Sequence, residues 1–511
     1  MVRGTFVWLH RWAGLAMSVI LVIVSLTGSA IAFHDQIDAW LNPELVLVPR
    51  RDAPLLDPIA LRERAAAQCP DGDFNLAVLH IDPDRAVRLF LEPKTSSTEE
   101  AAHNANHGFA DLREVFFDPY NGEKLGDRIF LSGPTLERRN LLGFLFRLHY
   151  SLSAPWSWNI AGDNAGGFML GVTALIWTID CFMAFYLTFP MRLRIAEGVT
   201  RARRSWWRRW VPAWLIRTHS GFYRFNFDVH RAFGLWTWAM LFVFAWSGVH
   251  FNLDRVYSPA MTALFGAASP PAAATARKRI ENPALGWREA YDMTSNRMRA
   301  EAERRGFQVV EDVDLFLVRE AGEYILATRL VGDVNRRGAN SISIDADTGA
   351  MVSAAFERDL PTSETVTNWL ASLHDAGAFG LPMKIVVCTM GFVITVLSVT
   401  GIYVWWKKRR GRNFLRSPDA GSEACAASSS CSSAQDHNAA TTDSVRRRYA
   451  VDESLDGVPM TRKSSNNSSN TRRSSTCQAL APVDSQRPQG TPSRACPPPR
   501  RGSSACRILE S

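Results

Sequence analysis

The stretches "VWLHRWAGL", Val7 to Leu15, and "FDVHRAFGL", Phe227 to Leu235, share the pattern His-Arg-x-x-Gly-Leu. Each leads into a run of 22 residues that contains no Asp, Glu, Lys or Arg: Trp12–Phe33 and Ala232–Leu253. About 20 apolar residues, at a rise of about 1.5 Å each, cross the hydrocarbon core of a bilayer. The repeated pattern therefore predicts the start of two transmembrane helices. The first run is longer than the apolar part of a signal peptide, so we expect it to be retained.

Two further apolar runs, Gly166–Pro190 and Ile385–Trp406, have the same length and character. Several of the 17 tryptophans lie at the ends of these four runs, where an interfacial aromatic belt is expected. The sequence therefore predicts a membrane α-helical bundle with four transmembrane helices.

The basic residues predict the orientation of the helices. Residues 191–231 contain ten arginines against Glu197 and Asp228, and Lys407–Arg410 follows the fourth run. Because short loops rich in Lys and Arg stay in the cytoplasm, we expect both termini on the cytoplasmic side. The net charge of +8 then reflects topology and contact with the lipid bilayer, and we expect no nucleic-acid partner.

The two exported segments predict α+β modules. In residues 35–148 and 254–373, a helix-like stretch precedes short alternating strands. The first segment has "LAVLHIDPDRAVRLFLEP" (strand, turn, strand) and "REVFFDPYNGEKLG" (hairpin); the second has "VDLFLVREAGEYILATRL" and "SISIDADTGAMVSAA". Gly122 and Gly349 occupy equivalent turns, where glycine supplies a positive φ.

The spacing of four landmarks indicates an internal duplication. His10 and His230 are 220 residues apart, His34 and His250 216, Gly122 and Gly349 227, and His149 and His374 225. This agreement predicts two parallel copies of a helix, an exported module and a second helix. The expected organisation is helix 1 (1–34), module 1 (35–148), helix 2 with the segment leading into it (149–190), a basic cytoplasmic loop (191–230), helix 3 (231–253), module 2 (254–373), helix 4 with the segment leading into it (374–407) and a disordered cytoplasmic tail (408–511).

The motifs around the helices resemble one membrane family. "LHRWAGL" and "LTGSAIAFHDQIDAWLNP" around the first helix, "DVHRAFGLW" at the third and "LHDAGAFG" with "VTGIYVWWKKRR" at the fourth are similar to the PepSY-associated transmembrane-helix family over about residues 1–410. That resemblance implies periplasmic PepSY-like modules and a bacterial inner-membrane location. "ALIWTIDCFMAFYLTFP" resembles the ferric-siderophore reductase branch, whose members hold two b-type haems in a four-helix bundle.

Position selects the haem ligands among the eleven histidines. Low-spin b-type haem takes two neutral imidazoles from facing elements. His10 and His230 are expected at the cytoplasmic ends of helices one and three, and His149 and His374 just before helices two and four. These pairs predict two haems, one near each membrane face. His34 and His250 are also matched in the duplication, and they remain alternative outer ligands.

Three charged residues could support these sites. Arg11 and Arg231 follow the inner histidines, and each could contact a haem propionate or simply anchor the helix on the cytoplasmic side. Asp180 is the only acid inside the four runs, and a charge at that depth suggests a role. It could orient a ligand histidine, relay a proton or bond a neighbouring hydroxyl.

The resemblance implies reduction of a ferric siderophore or other ferric chelate at the periplasmic face, which releases iron. The chain has no Gly-x-Gly-x-x-Gly after a strand, so the electron donor is expected to be a separate cytoplasmic partner or a quinone. It has no Cys-x-x-Cys-His for covalent haem attachment. The alternative is a non-redox PepSY-containing envelope protein that binds a peptide or protease, or assists siderophore uptake. No catalytic residue can be chosen.

Overall fold

A computed structural model of the chain describes residues 2–93, 113–129, 137–155, 158–160, 163–191, 205–266, 279–333 and 340–416. His103, His107, His437, the arginines from 192 to 204 and the predicted tail beyond residue 416 lie outside this part of the chain.

Helices account for most of the described chain. In chain order they are α1 (Val2–Ile31), α2 (His34–Leu41), α3 (Pro43–Val46), α4 (Pro58–Gln68), α5 (Leu141–Ser151), α6 (Ala165–Thr188), α7 (Trp206–Trp210), α8 (Phe222–Trp236), α9 (Trp238–Asn252), α10 (Asp254–Phe265), α11 (Trp287–Arg304), α12 (Thr362–His374) and α13 (Leu381–Arg416). Short 3₁₀ turns cover Arg138–Asn140, Val211–Trp214 and Glu357–Asp359.

Within the described residues, three helices are long and apolar enough to cross a membrane: α1, α6 and α13. They contain most of the first, second and fourth predicted runs. Helix α13 continues to Arg416, so the chain is still helical beyond residue 408, where the tail was expected to begin.

The third predicted span is broken. The expected single helix Ala232–Leu253 is divided between α8 and α9, which meet at Thr237 with a bend of 70°. The Thr237 hydroxyl donates to the Phe233 carbonyl at 2.7 Å, and side-chain bonds of this kind bend helices. The next residue, Trp238, donates its indole N–H to the Cys181 carbonyl of α6 at 3.0 Å, which holds the start of α9 against that helix.

Small residues bring α1 and α13 close together. A Cβ added to Gly391 would collide with the Ser29 hydroxyl and the Ser25 carbonyl. The Ser25 and Thr395 hydroxyls are 2.9 Å apart, and Ser29 donates to the Cys388 carbonyl at 3.0 Å. Close backbone approach and interhelical hydrogen bonds are the main attractions available to helices in lipid.

The first sheet lies between α1 and α6 in the chain. Its strands are β1 (Gly72–Phe74), β3 (Val87–Pro93), β4 (Arg113–Phe117) and β5 (Lys124–Ile129), antiparallel and in that order. The expected β4–β5 hairpin is confirmed, and Gly122 in its turn has a φ of +71°. Strand side chains such as Phe74, Leu89 and Phe117 pack with α4 in a buried core.

The second sheet has five antiparallel strands, in the order β11 (Met351–Ala355), β10 (Asn340–Asp345), β9 (Glu323–Leu330), β8 (Val309–Val318) and β2 (Leu76–Val78). All except β2 follow α11 in the chain. Both expected hairpins are confirmed, and Gly349 has a φ of +68°. The chain also forms a two-stranded ribbon of β6 (Asn159–Ile160) and β7 (Asp163–Asn164).

Strand β2 connects the two sheets. The sequence predicted it next to β3 across a turn, but β2 pairs with β8, with Ala77 opposite Leu315. Both of these side chains are fully buried in the core of the second sheet. This pairing covers the edge of β8, so the second sheet includes a strand from residues 35–148, which the prediction of separate modules did not include.

Candidate functional site

The first site lies where α1 meets α8. His10 of α1 and His230 of α8 face each other with ring centroids 6.1 Å apart and ring planes inclined by 54°. The Nδ1 atom of His10 lies 2.9 and 3.0 Å from the two carboxylate oxygens of Asp180 on α6. The Nδ1 atom of His230 lies 3.0 Å from the Leu397 carbonyl and 3.1 Å from the Thr400 hydroxyl on α13. The site therefore draws on all four membrane-length segments.

The second site lies at the other end of α1. His149 of α5 and His374 of α12 have ring centroids 6.5 Å apart and ring planes inclined by 70°. The Nδ1 atom of His149 contacts the Val24 carbonyl at 3.0 Å and the Thr27 hydroxyl at 3.1 Å, both on α1. The Nδ1 atom of His374 contacts the Ser247 hydroxyl of α9 at 2.6 Å. Counted along α1, His10 and Thr27 are about 25 Å apart.

These contacts assign the tautomers of the four rings. A carbonyl or a carboxylate can only accept, so Nδ1 of His10, His149 and His230 carries the proton and donates it. The Ser247 hydroxyl donates to the Val243 carbonyl at 2.6 Å and therefore accepts from His374. In a neutral imidazole the remaining Nε2 then has a lone pair, and none of the four Nε2 atoms has a hydrogen-bond partner in the described chain.

The ring separations match two imidazoles that share one metal. With metal–nitrogen distances of about 2 Å on opposite sides, the two ring centroids would lie about 6 Å apart. An Nδ1–H donated to a protein acceptor is also the usual arrangement behind a metal-binding histidine, because it fixes the ring and strengthens the donor nitrogen. The separations and the Nδ1 contacts make each pair a candidate for holding a metal-centred cofactor.

Two glycines leave room for the histidines. A Cβ on Gly28 would lie 2.9 Å from Cε1 of His149, and a Cβ on Gly401 would lie 3.2 Å from Cε1 of His230. Each glycine follows the threonine that holds the same ring, in the stretches "SLTG" (25–28) and "SVTG" (398–401). In both cases the carbonyl contact comes from the residue three positions before the threonine.

Apart from Asp180, which the sequence suggested could orient a ligand histidine, these supporting residues were not predicted. Thr27 and Ser247 are 220 residues apart, as are Asp180 and Thr400, which is also the separation of His10 and His230. The repeated Ser-x-Thr-Gly and this common spacing were the available signals.

Backbone strain is concentrated beside the second pair. The non-glycine residues with positive φ in the described chain are Leu152, Ser153, Ala376 and Phe379, with φ between +50° and +58°. Two follow His149 within four residues, and two follow His374 within five. Such conformations cost about 1–3 kcal/mol each and are found mostly at functional sites.

The alternative outer histidines are not brought together. His34 bonds the Ile31 carbonyl and the Asp35 carboxylate, each at 3.0 Å. His250 packs on Tyr257 with ring centroids 4.7 Å apart. The described residues show no ring contact between His34 and His250.

The two predicted arginines differ in their surroundings. Arg231 donates to the Asp228 carboxylate at 3.0 Å and to the Pro212 carbonyl at 2.5 Å. Asp228 is fully buried and also pairs with Arg217 at 2.8 Å. Arg231 therefore already has an anionic partner, whereas Arg11 lies partly exposed on α1 beside His10.

A buried ionic cluster joins the first sheet to the end of α1. Arg128 of β5 donates to both carboxylate oxygens of Asp38 on α2, at 2.8 and 2.7 Å, and to Glu114 of β4 at 2.5 Å. Burial alone would raise the pKa of the Asp38 carboxyl, but the hydrogen bonds and charge of Arg128 bring that pKa below its usual value. The cluster fixes α2, which directly follows α1, against the sheet.

A protein-family model matches most of the chain before residue 409. The family described as the PepSY-associated TM region matches residues 7–408, which include both histidine pairs. No curated protein matches the chain.

Proposed function

The chain belongs to the family of PepSY-associated TM regions, and on that premise we propose that it is an inner-membrane electron-transfer protein with two b-type haems. His10 and His230 would hold one haem, and His149 and His374 the other. The observation that carries this proposal is the pair of imidazoles at each site, with centroids 6.1 and 6.5 Å apart and every Nδ1 held by the protein.

The donor set and the surroundings fit haem. A haem held by two imidazoles supplies reversible one-electron transfer, and its porphyrin provides the other four nitrogen ligands. Gly28 and Gly401 keep the space beside two of the ligand rings free of side chains.

The residues of the chain have distinct tasks in this proposal. Asp180, Thr27, Ser247 and Thr400 accept or share the Nδ1 protons and so hold the rings in a fixed orientation. The apolar helices around them exclude water. The two sites lie at opposite ends of α1, so an electron that moves between them crosses most of the membrane.

The proposed orientation rests on charge. The arginines of residues 191–231 and the Lys407–Arg410 cluster place the His10 site at the cytoplasmic face. The termini are then cytoplasmic, and the two sheets are periplasmic PepSY-like modules. The common spacing of 220 residues between supporting residues favours two parallel repeats, each holding its own histidines.

The proposed acceptor is a ferric siderophore or another oxygen-ligated ferric chelate at the periplasmic face. Oxygen ligands hold Fe(III) far more tightly than Fe(II). One electron, supplied by a cytoplasmic donor or a quinone, would therefore reduce the iron and release it while the chelator stays intact.

The first experiment is an optical spectrum of the detergent-purified protein before and after dithionite. We expect sharp α-bands and two haems per chain. His10→Ala or His230→Ala should remove one haem, and His149→Ala or His374→Ala the other. His80→Ala, in the loop after β2, is the matched control and should keep both. A colourless wild-type protein would refute the proposal and favour the non-redox envelope protein.

The acceptor is tested separately. An oxygen-ligated ferric chelate added to the dithionite-free reduced protein should reoxidise it and yield Fe(II), detected by a ferrous chelator. Failure to reoxidise would leave the haem assignment intact and remove the reductase assignment.

A further inference from the structure

The two histidine pairs differ in charge at their supporting residues. On the His10 side, Nδ1 donates to a carboxylate, Asp180, whose side chain is only 8% exposed. His230 is supported by a carbonyl and a hydroxyl. In the second pair, His149 contacts a carbonyl and a hydroxyl, and His374 contacts a hydroxyl. Asp180 is thus the one anionic group bonded to any of the four rings in the described residues.

We propose that Asp180 is a positioning residue that gives the His10–His230 site a lower reduction potential than the His149–His374 site. This inference rests on the proposed function. A carboxylate that accepts the Nδ1 proton makes Nε2 a stronger donor, and its negative charge stabilises the more positive, oxidised metal. The negative charge acts at one site only, and the neutral acceptors of the second pair strengthen their Nε2 donors less than a carboxylate does.

The neighbouring cations do not cancel this effect. Arg11 and Arg231 follow the ligand histidines by one residue, so each side chain leaves the helix about 100° away from the ring. Arg231 is also paired with the buried Asp228 at 3.0 Å. Asp180, in contrast, bonds the ring directly, with its carboxylate 2.9 Å from Nδ1 of His10.

The consequence is a direction for electron flow. With haem held by each pair, one electron would pass from the His10–His230 site, which would be oxidised, to the His149–His374 site, which would be reduced. Because the first site has the lower reduction potential, electron transfer from it to the second site is thermodynamically favourable. The reverse transfer is unfavourable. Asp180 would therefore favour delivery of electrons to a periplasmic acceptor.

The test is a redox titration of the haem-loaded protein followed by its optical spectrum. The wild type should show two one-electron components. His149→Ala, which lacks the outer haem, should retain the lower one. Asp180→Asn removes the charge and keeps an oxygen that can accept the Nδ1 proton. Asp180→Asn should raise the lower potential by at least about 59 mV, which corresponds to a tenfold change in the equilibrium constant for reduction. It should leave the upper potential unchanged.

Two further variants decide between electrostatic and merely structural roles. Thr400→Val removes a neutral partner of His230 and should shift the lower potential much less than Asp180→Asn. Ser247→Asp places a carboxylate beside His374 and should lower the upper potential, a result that remains decisive if Asp180→Asn loses its haem. Unchanged potentials in both Asp180→Asn and Ser247→Asp would overturn the inference while leaving a di-haem protein. Absence of haem in the wild type would overturn the proposed function itself.

Discussion

Gly28→Ala adds a single methyl group, which should remove the haem from the His149–His374 site and leave the His10–His230 site occupied. A Cβ at this position would lie 2.9 Å from Cε1 of His149 and 3.5 Å from its Nδ1. Ordinary van der Waals contact begins near 3.4 Å, so the ring must retreat by about half an ångström. The ring cannot retreat without stretching its bonds to Val24 and Thr27, which are 3.0 and 3.1 Å long.

The expected magnitude follows from a comparison within the same helix. Gly14 is also in α1, and a Cβ there would meet nothing within 4 Å. Both Gly28→Ala and Gly14→Ala gain the helical propensity of alanine, about 0.8–1 kcal/mol. Only Gly28→Ala also overpacks its site, at a cost of about 1–3 kcal/mol. The difference in stability between the two variants therefore measures that cost. A displaced ligand should weaken the outer haem by about 10–100-fold.

The assay measures haem content, the reduced spectrum and thermal unfolding of the detergent-purified variants. Gly28→Ala should lose the component assigned to His149 and His374 and keep the other. Gly401→Ala, where the contact is 3.2 Å, should weaken the His10–His230 component less severely. Gly14→Ala should match the wild type or unfold at a slightly higher temperature. If Gly28→Ala kept both components and matched Gly14→Ala in stability, the close packing of Gly28 on a ligand ring would be wrong.

Two further predictions concern the sheets. Arg128→Ala should lower the free energy of unfolding by about 3–5 kcal/mol, because it leaves Asp38 buried without its cation and leaves Glu114 only its 3.3 Å contact with Arg88. Arg113→Ala, which removes an exposed ion pair with Asp71 and Asp127, should cost less than about 1 kcal/mol; equal losses in denaturant titrations would contradict the difference in burial. Burial raises the pKa of Asp314 to about 6, so the folded chain binds this proton more tightly than the unfolded chain does. Protonated Asp314 should contribute about 3 kcal/mol to the free energy of unfolding. This contribution should be fully present below about pH 4 and lost as the pH rises through about 6. Asp314→Asn should flatten that part of the stability profile, and an unchanged profile in a pH series of thermal scans would refute the assignment.

The parts of the fold that sequence predicts are those with strong local signals. Uncharged runs of about 20 residues locate α1, α6 and α13, and glycine turns locate the hairpins around Gly122 and Gly349. The bend at Thr237 was missed because a single threonine inside an apolar run leaves the hydropathy pattern unchanged. The pairing of β2 with β8 was missed because strand partners far apart in sequence are chosen by burial of Ala77 and Leu315, which no local pattern records.

The candidate site, like the fold, could be predicted from the sequence only in part. The duplication spacing pairs His10 with His230 and His149 with His374, and the structure brings these rings within 6.1 and 6.5 Å. The partners of Nδ1 were not predicted, apart from the suggestion that Asp180 could orient a histidine. Which hydroxyl or carbonyl faces a ring depends on helix rotation and tilt, and only helix packing sets these.

The division of each site between the two halves of the chain has a consequence for biosynthesis. His10 and His149 are held by Asp180 and Thr27, so every supporting contact of the first half is complete before residue 230 is made. The second half likewise supplies the partners of His230 and His374. Because chains fold from the N-terminus as they emerge, the first half can present two oriented imidazoles while their counterparts are still untranslated. Neither site has both of its imidazoles until the second half is made, and the partners of His230 lie on the last helix. Cofactor capture at the His10–His230 site would therefore report that synthesis of the bundle is finished.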